Sequence, residues 1–439
     1  MAREYLISDF LKRIKRPIEL EDQVEYKLVT VKMNHNGVVL RENKMGGDIK
    51  SNMFLVKTGD FILSGIDARN GAFGIIPEEL NNAIVTNDFW YFEIDEELIS
   101  KELFLELTAT TWFDEICKKG SDGTTQRIRL QKDKFFNQTV WLPEKKEQDE
   151  ILNKIKTFKQ KLELLKYEHQ IQNDSLSQLR QGILQEAIQG KLTKEWREQN
   201  PNTEPSTELL KRIKAEKETL IKEKKIKKEK PLAPISEDEI PFELPNGWVW
   251  SILDECALFK NGKAHEQYVD PNGDFVLINS KFVSTNGEVK KHTNELLLPM
   301  YKNEIAIVMS DVPGGRALSR CYLIEEDNKY SLNQRIGGLM PFNEINPKYL
   351  LIVLDRNSHY LNFDDGKKQT NLTKNEILTC PIPLPPFDEQ CFIVEKVEEI
   401  IGKCTLLSLE IENLNNHSKN LLKALFNETF EVKTEVCQD

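Results

Sequence analysis

Apolar residues recur along two stretches of the chain at alternating spacings of four and three, with Lys, Glu, Gln and Asn between them. The first set is Ile151, Ile155, Phe158, Leu162, Leu165, then Leu176, Leu179 and Ile183. The second is Ile393, Val397, Ile400, Cys404, Leu407, Ile411, Leu414, then Leu421 and Leu425. Sustained four-three spacing is the signature of a coiled-coil seam, so it predicts two long helices, each the natural partner of the other. His169, Gln172 and Ser418 interrupt the seam; a polar residue there either fixes register or is tolerated in a weakly packed layer.

Ahead of each helix the pattern changes to short apolar runs of strand length broken by Gly, Asn and Asp. A helix is expected near 98–119 in the first part and near 347–363 in the second. Each globular part therefore reads as mixed α/β (α+β).

The two halves are one module repeated. Residues 130–155 align without a gap on 372–397 at an offset of 242, and Leu142, Pro143, Glu147, Gln148 and Ile151 recur as Leu384, Pro385, Glu389, Gln390 and Ile393. Upstream the repeat continues with small gaps: 56–74 follows the rhythm of 300–319, Asn87 parallels Asn333, and 120–130 parallels 363–372. The architecture expected is two globular domains, each feeding a long helix, the helices pairing as an antiparallel coiled coil with pseudo-twofold symmetry. Its bounds are a first domain at 1–143, a helix at 144–190, a connector at 191–243, a second domain at 244–385, a helix at 386–432 and a tail at 433–439. Within the connector, 207–230 reads as an exposed lysine-rich helix and 231–241 as a flexible link. LPNGWVW, residues 244–250, opens the second domain.

Composition narrows the function. With 439 residues, 39% of them hydrophobic, the chain has material for two cores. No run approaches the roughly 20 apolar residues that span a bilayer, and MAREYLISDF lacks a signal-peptide core, so a soluble, cytoplasmic protein without membrane contact is expected. Cys117, Cys256, Cys321, Cys380, Cys391, Cys404 and Cys437 are scattered without a C-x-x-C pair, and the histidines lack ligand spacing. Neither a metal nor a cofactor is expected. The net charge of −11 excludes a protein that coats nucleic acid nonspecifically, so any DNA contact is local or shared with partners.

Catalytic motifs are absent: there is no G-x-x-x-x-G-K-[ST], no G-x-G-x-x-G after a strand and no N-P-P-[YF] element. The repeated L-P-x-x-x-E-Q reads as a helix start, with Pro before it and acids in its first turn, rather than as a carboxylate pair. The 222–230 lysine run reads as a solvated face, Trp248 and Trp250 as domain-edge anchors, and IDARNGAFG (66–74) as a turn that could face bases.

At Leu142, Pro143, Glu147, Gln148 and their repeats, at GILQEAIQGKLTKEWREQNP (182–201), and at LPNGWVW, the chain resembles the specificity subunit of type I restriction-modification systems. The resemblance covers essentially the whole chain and lies in the order domain, helix, connector, domain, helix. The first copy reads LPEKKEQ where the second has the more typical LPPFDEQ, so a different cap is expected on the first helix. The resemblance implies that each half is a target recognition domain for one half of a split, asymmetric site in double-stranded DNA. It also implies that the helices are a spacer, that two methyltransferase subunits dock on them, that a restriction and motor subunit joins through the complex, and that the chain has no catalysis of its own. The competing reading is a coiled-coil interaction scaffold whose globular domains bind protein.

About 40 helical residues make a rod of roughly 60 Å, long enough to separate two major-groove readers. Base edges call for Arg and Lys at guanine and Asn and Gln at adenine, on loops that vary without disturbing a scaffold. The DNA-binding candidates are Arg69, Asn70, Thr124, Thr125, Gln126, Arg127 and Arg129 in the first domain. In the second they are Arg316, Gln334, Arg335, Lys367, Lys368 and Gln369. Any one of them also fits a solvated loop or a phosphate clamp.

Overall fold

The strand-length apolar runs form sheets, and a four-stranded one has the same order in the two halves. This computed structural model describes residues 3–122, 128–228, 230–233, 235–236 and 240–430. It divides into two compact units, Met1–Gln172 with Glu410–Asp439, and Asn173–Leu409.

In the first unit an antiparallel sheet runs in the order Leu11–Ile14, Phe89–Ile94, Phe61–Ser64, Phe73–Ile75. In the second the order is Ala257–Asn261, Ile336–Pro341, Ile305–Val308, Cys321–Leu323. A second sheet in each unit places one parallel pair among antiparallel neighbours: Glu25–Val31 beside Ile84–Val85, and Phe275–Ile278 beside Tyr330–Leu332. Each domain is closed by its first and last strands, Arg3–Leu6 on Thr139–Leu142 and Val249–Ile252 on Pro381–Leu384. Both closing strands lead directly into a long helix.

The cores differ in kind. The first unit packs aromatic rings edge to face, with Phe104 4.8 Å from Phe61 and 5.7 Å from Phe113 between ring centres. The second relies on aliphatic side chains and on Tyr349 and Tyr360, whose hydroxyls donate to the carbonyls of Pro383 and Ile377.

Each single helix expected in the globular parts is two. Lys101–Thr108 and Thr111–Lys119 are separated where the Thr110 side chain accepts the Phe113 N–H and starts a new helix. Pro347–Leu354 and Ser358–Leu361 are separated by Arg356, whose φ of 57° ends the first, and by the Asn357 cap. The lysine-rich helix spans Ser206–Lys222 and is not exposed all round: Leu209 and Ile213 are buried, Lys217 pairs with Asp254 and Arg212 with Glu344.

The long helices are Lys145–Ile188 and Phe387–Phe430, each of 44 residues, and both begin at equivalent positions despite the different sequences ahead of them. Buried positions fall seven apart at Ile155, Leu162 and His169 in the first and at Val397, Cys404 and Ile411 in the second, while Ile183, Ala187, Ile393 and Val394 are buried in the core of the second unit. Leu179, Leu407, Leu414 and Leu421 are each about half exposed or more, while Ile151, Phe158, Leu165, Leu176 and Ile400 are half-buried. The seam expected from the four-three spacing is thus covered in part, with some positions buried, others half-buried and the rest open. The helices run antiparallel within the second unit, where Arg180 donates to Thr405 and Ser408 while Thr193 reaches Glu389. Among the described residues no helix is long and apolar enough to cross a membrane.

Candidate nucleic-acid interface

The repeated Gln of L-P-x-x-x-E-Q shows how each domain is held on its helix. The Gln148 carboxamide donates to the carbonyls of Pro143 (3.0 Å) and Leu98 (2.6 Å) and accepts the N–H of Ser100 (3.1 Å). Gln390 does the same with Pro385 (3.0 Å), Glu344 (3.4 Å) and Asn346 (2.8 Å). Ser100 and Asn346 are themselves the N-caps of the domain helices. Glu389 is buried and fully occupied: it accepts from Trp248 Nε1 (2.8 Å), Thr193 Oγ1 (2.6 Å) and Arg197 Nη1 (2.5 Å). The stretches 182–201, 244–250 and 384–390 therefore meet at one carboxylate, and their role is structural.

At one end of the antiparallel sheet, three loops converge in each unit on the residue that follows a central strand. In the second unit that residue is Met309. Its N–H donates to the Arg335 carbonyl (3.0 Å) and its carbonyl accepts the Leu372 N–H (2.7 Å). In the first unit Gly65 makes the same two bonds, to the Asp88 carbonyl (2.8 Å) and from the Leu130 N–H (2.7 Å). The framework is conserved between the two copies while the side chains on it differ.

All six second-domain candidates lie on these loops. Asp311 accepts the N–H groups of Val312 (2.8 Å), Ala317 (2.6 Å) and Leu318 (3.0 Å), which folds 312–318 into a closed turn with Arg316 outward. Asp364 accepts the Gly314 N–H (3.3 Å) and so joins that turn to the next loop. Asp365 accepts the N–H groups of Lys367 (2.8 Å) and Lys368 (3.0 Å), contacts that hold its carboxyl below the usual range. Gln369 donates to Ser310 Oγ (2.8 Å), and Gln334 to Glu266. Arg335 sits at a φ of 67° with its side chain exposed. Among the described residues, the side chains of Arg316, Arg335, Lys367 and Lys368 have no partner. Three of these cations are thus presented on backbone fixed by three aspartates, and Arg335 on backbone held by Met309.

The first domain is less open. Asn70 is exposed and Arg69 half-buried on the turn Ala68–Asn70, and Arg129 pairs with Asp88 at 3.0 Å. Thr124, Thr125, Gln126 and Arg127 lie outside the described residues. One element missed by the sequence reading stands here, the hairpin Glu25–Val31 and Val38–Met45. Its signal was available, an Asn-Gly pair (Asn36, Gly37) between two runs of strand character.

Residues 7–173 and 245–416 match the family described as type I restriction modification DNA specificity domain. The chain belongs to that family. It carries two copies of the specificity domain, and each copy takes in the opening part of the long helix that follows it. Among characterised relatives, the specificity subunits of the type I restriction enzymes EcoEI and EcoAI of Escherichia coli are 31% and 33% identical over 268 and 263 residues. The matched stretch covers 57% of this chain and 44% of each relative, so the chain spans less than half their length. The EcoDI specificity subunit is 25% identical over 345 residues, 76% of this chain and 70% of its own. A solved chain from work on complex assembly and conformational transition of the type I R-M system has the same fold, with a TM-score of 0.68 at 15% identity over 98% of this chain and 97% of that one. The HsdS subunit of Thermoanaerobacter tengcongensis follows at 0.58, with the same identity and coverage. At that identity the likeness speaks for fold alone.

Proposed function

We propose that this chain is the DNA-sequence specificity subunit of a type I restriction-modification complex, each of its domains reading one half of a split, asymmetric site. The observation that carries this reading is the pair of loop clusters: one backbone framework occurs twice, built on Gly65 and on Met309, with different polar side chains on each copy. Two readers of one construction with unlike contacts suit two unlike half-sites. Phosphates meet the exposed cations Arg316, Lys367 and Lys368, and base edges meet Asn70, Gln334, Arg335, Gln369 and the residues 124–127.

The chain itself does no chemistry in this reading. Two methyltransferase subunits modify adenine, and the restriction and motor subunits join through them, all in the cytoplasm. The apolar side chains left open on the long helices, on the seam at Leu407 and Leu414 and beside it at Leu164, Tyr167 and Leu406, are where protein partners bury surface. Helix length sets the gap between half-sites. The open stripe alone would equally suit a scaffold without DNA specificity, and the loop clusters favour the reader.

The test is the methylome of a host carrying the complete system, with and without this gene. One split, non-palindromic motif whose adenine methylation depends on the gene is expected, and its absence overturns the reading.

A further inference from the structure

The hairpin Glu25–Val31 and Val38–Met45 is not a passive edge of its sheet. Its inner strand pairs with the neighbouring strand at Leu28, opposite Ile84, and beyond that point the ribbon runs toward the loop that carries Arg69 and Asn70. There its tip is docked by backbone bonds, Asn34 N–H to the Asn70 carbonyl at 2.8 Å and His35 N–H to the Gly71 carbonyl at 2.9 Å. The His35 ring lies 5.2 Å from Phe73 between centres, and its Nε2 is 3.6 Å from an Asp114 carboxylate oxygen.

This docking explains the glycines of IDARNGAFG. A Cβ on Gly71, which has a φ of 73°, would stand 2.8 Å from His35 Nε2, and one on Gly74 would stand 3.0 Å from Val38 Cγ2. The glycines admit the hairpin. Lys32 to Asn36 are all exposed at the tip, with Met33 half accessible, and of these His35 and Asn36 are engaged in holding the tip in place. Asn36 closes the turn by donating to the Met33 carbonyl at 2.9 Å, while the Asn34 carboxamide and the Lys32 ammonium have no partner among the described residues. The ribbon is also basic in an acidic chain, with Lys27, Lys32, Arg41 and Lys44 against Glu25 and Glu42.

We infer that this hairpin is a second reading element of the first domain, a two-stranded ribbon whose tip enters the groove of duplex DNA beside the Arg69 and Asn70 loop. A two-stranded ribbon fits the major groove, a carboxamide matches the adenine edge, and a lysine at the rim meets phosphate. The inference rests on the specificity-subunit reading and adds an element to it.

The test uses the complete chain in its complex with methyltransferase subunits and the cognate duplex defined by the methylome. Lys32→Ala lowers affinity for every duplex and reduces the slope of log affinity against log salt by about one phosphate contact. Asn34→Gly, which keeps the left-handed backbone, lowers discrimination at one position of one half-site about tenfold and leaves the other half-site and the gap unchanged. That untouched half-site also reports that both variants fold. An unchanged salt slope and motif in both variants, or relaxation at both half-sites, overturns the inference. A wild-type complex with no motif at all would instead overturn the underlying reading.

Discussion

Gln148 and Gln390 make the same three hydrogen bonds in the two units, each tying the N-cap backbone of a domain helix to the proline-led start of a long helix. Both are buried, with 1% and 0% of their surface accessible, so the network is closed to water that could replace it. The repeated motif is a joint between reader and rod.

The joint predicts a local stability loss. Gln148→Ala or Gln390→Ala leaves a buried N–H and two carbonyls short of a partner, which costs about 1–3 kcal/mol. Denaturant unfolding followed by hydrogen exchange is expected to place the loss in the substituted unit. A change below about 0.5 kcal/mol would remove the joint from the account.

A second prediction concerns Glu389, which holds Trp248, Thr193 and Arg197 together. Glu389→Ala leaves the Arg197 charge in a partly buried site and the indole N–H unpaired, and a loss of about 3–5 kcal/mol is expected in the second unit. Equilibrium unfolding of the purified chain measures it. A loss near zero would mean that solvent replaces the carboxylate and that the three motif stretches do not depend on it.

The polar layer of the first unit makes a third. His169 Nδ1 stands 2.6 Å from Asn415 Oδ1, and His169 is 4% accessible. His169→Leu alone costs about 1 kcal/mol because Asn415 loses its partner, whereas the double variant with Asn415→Leu is neutral or stabilising. Thermal melting of His169→Leu, Asn415→Leu and the double variant decides this. A double variant that is the least stable would contradict a pairwise role.

A fourth follows from Asp311, whose carboxylate accepts three N–H groups of its own loop. Asp311→Ala is expected to speed amide exchange at Val312, Ala317 and Leu318 about tenfold or more while leaving the sheet protected. Unchanged exchange at those amides would show that the loop holds its shape by other means.

The helices were legible because a heptad repeat survives without any knowledge of tertiary contacts. The share of the stripe that is buried was not: Leu162 and Leu407 obey the same spacing, and only one of them is covered. The same limit explains the connector, where Leu209 and Ile213 mark a buried face within a run dominated by lysine. Gln148 read as part of a helix start, since its partners Leu98 and Ser100 lie some fifty residues away and nothing local announces them. The second-domain loops were found from residue type and rhythm, because Gly, Asp and Lys cluster where strands end. In the first domain the Gly-rich stretch read as a turn, and its Gly71 and Gly74 leave room for a hairpin tip that the sequence reading did not include. A glycine reports that something comes near, and the sequence does not say what.

The central claim is that each domain reads its own half of the site. It is tested most directly by the genome-wide adenine-methylation motif of a host whose complex carries Arg316→Ala together with Arg335→Ala. The motif expected has one half-site degenerate at one or two positions, the other half-site intact and the gap unchanged. A motif unaltered in both halves, or altered in both, would contradict it.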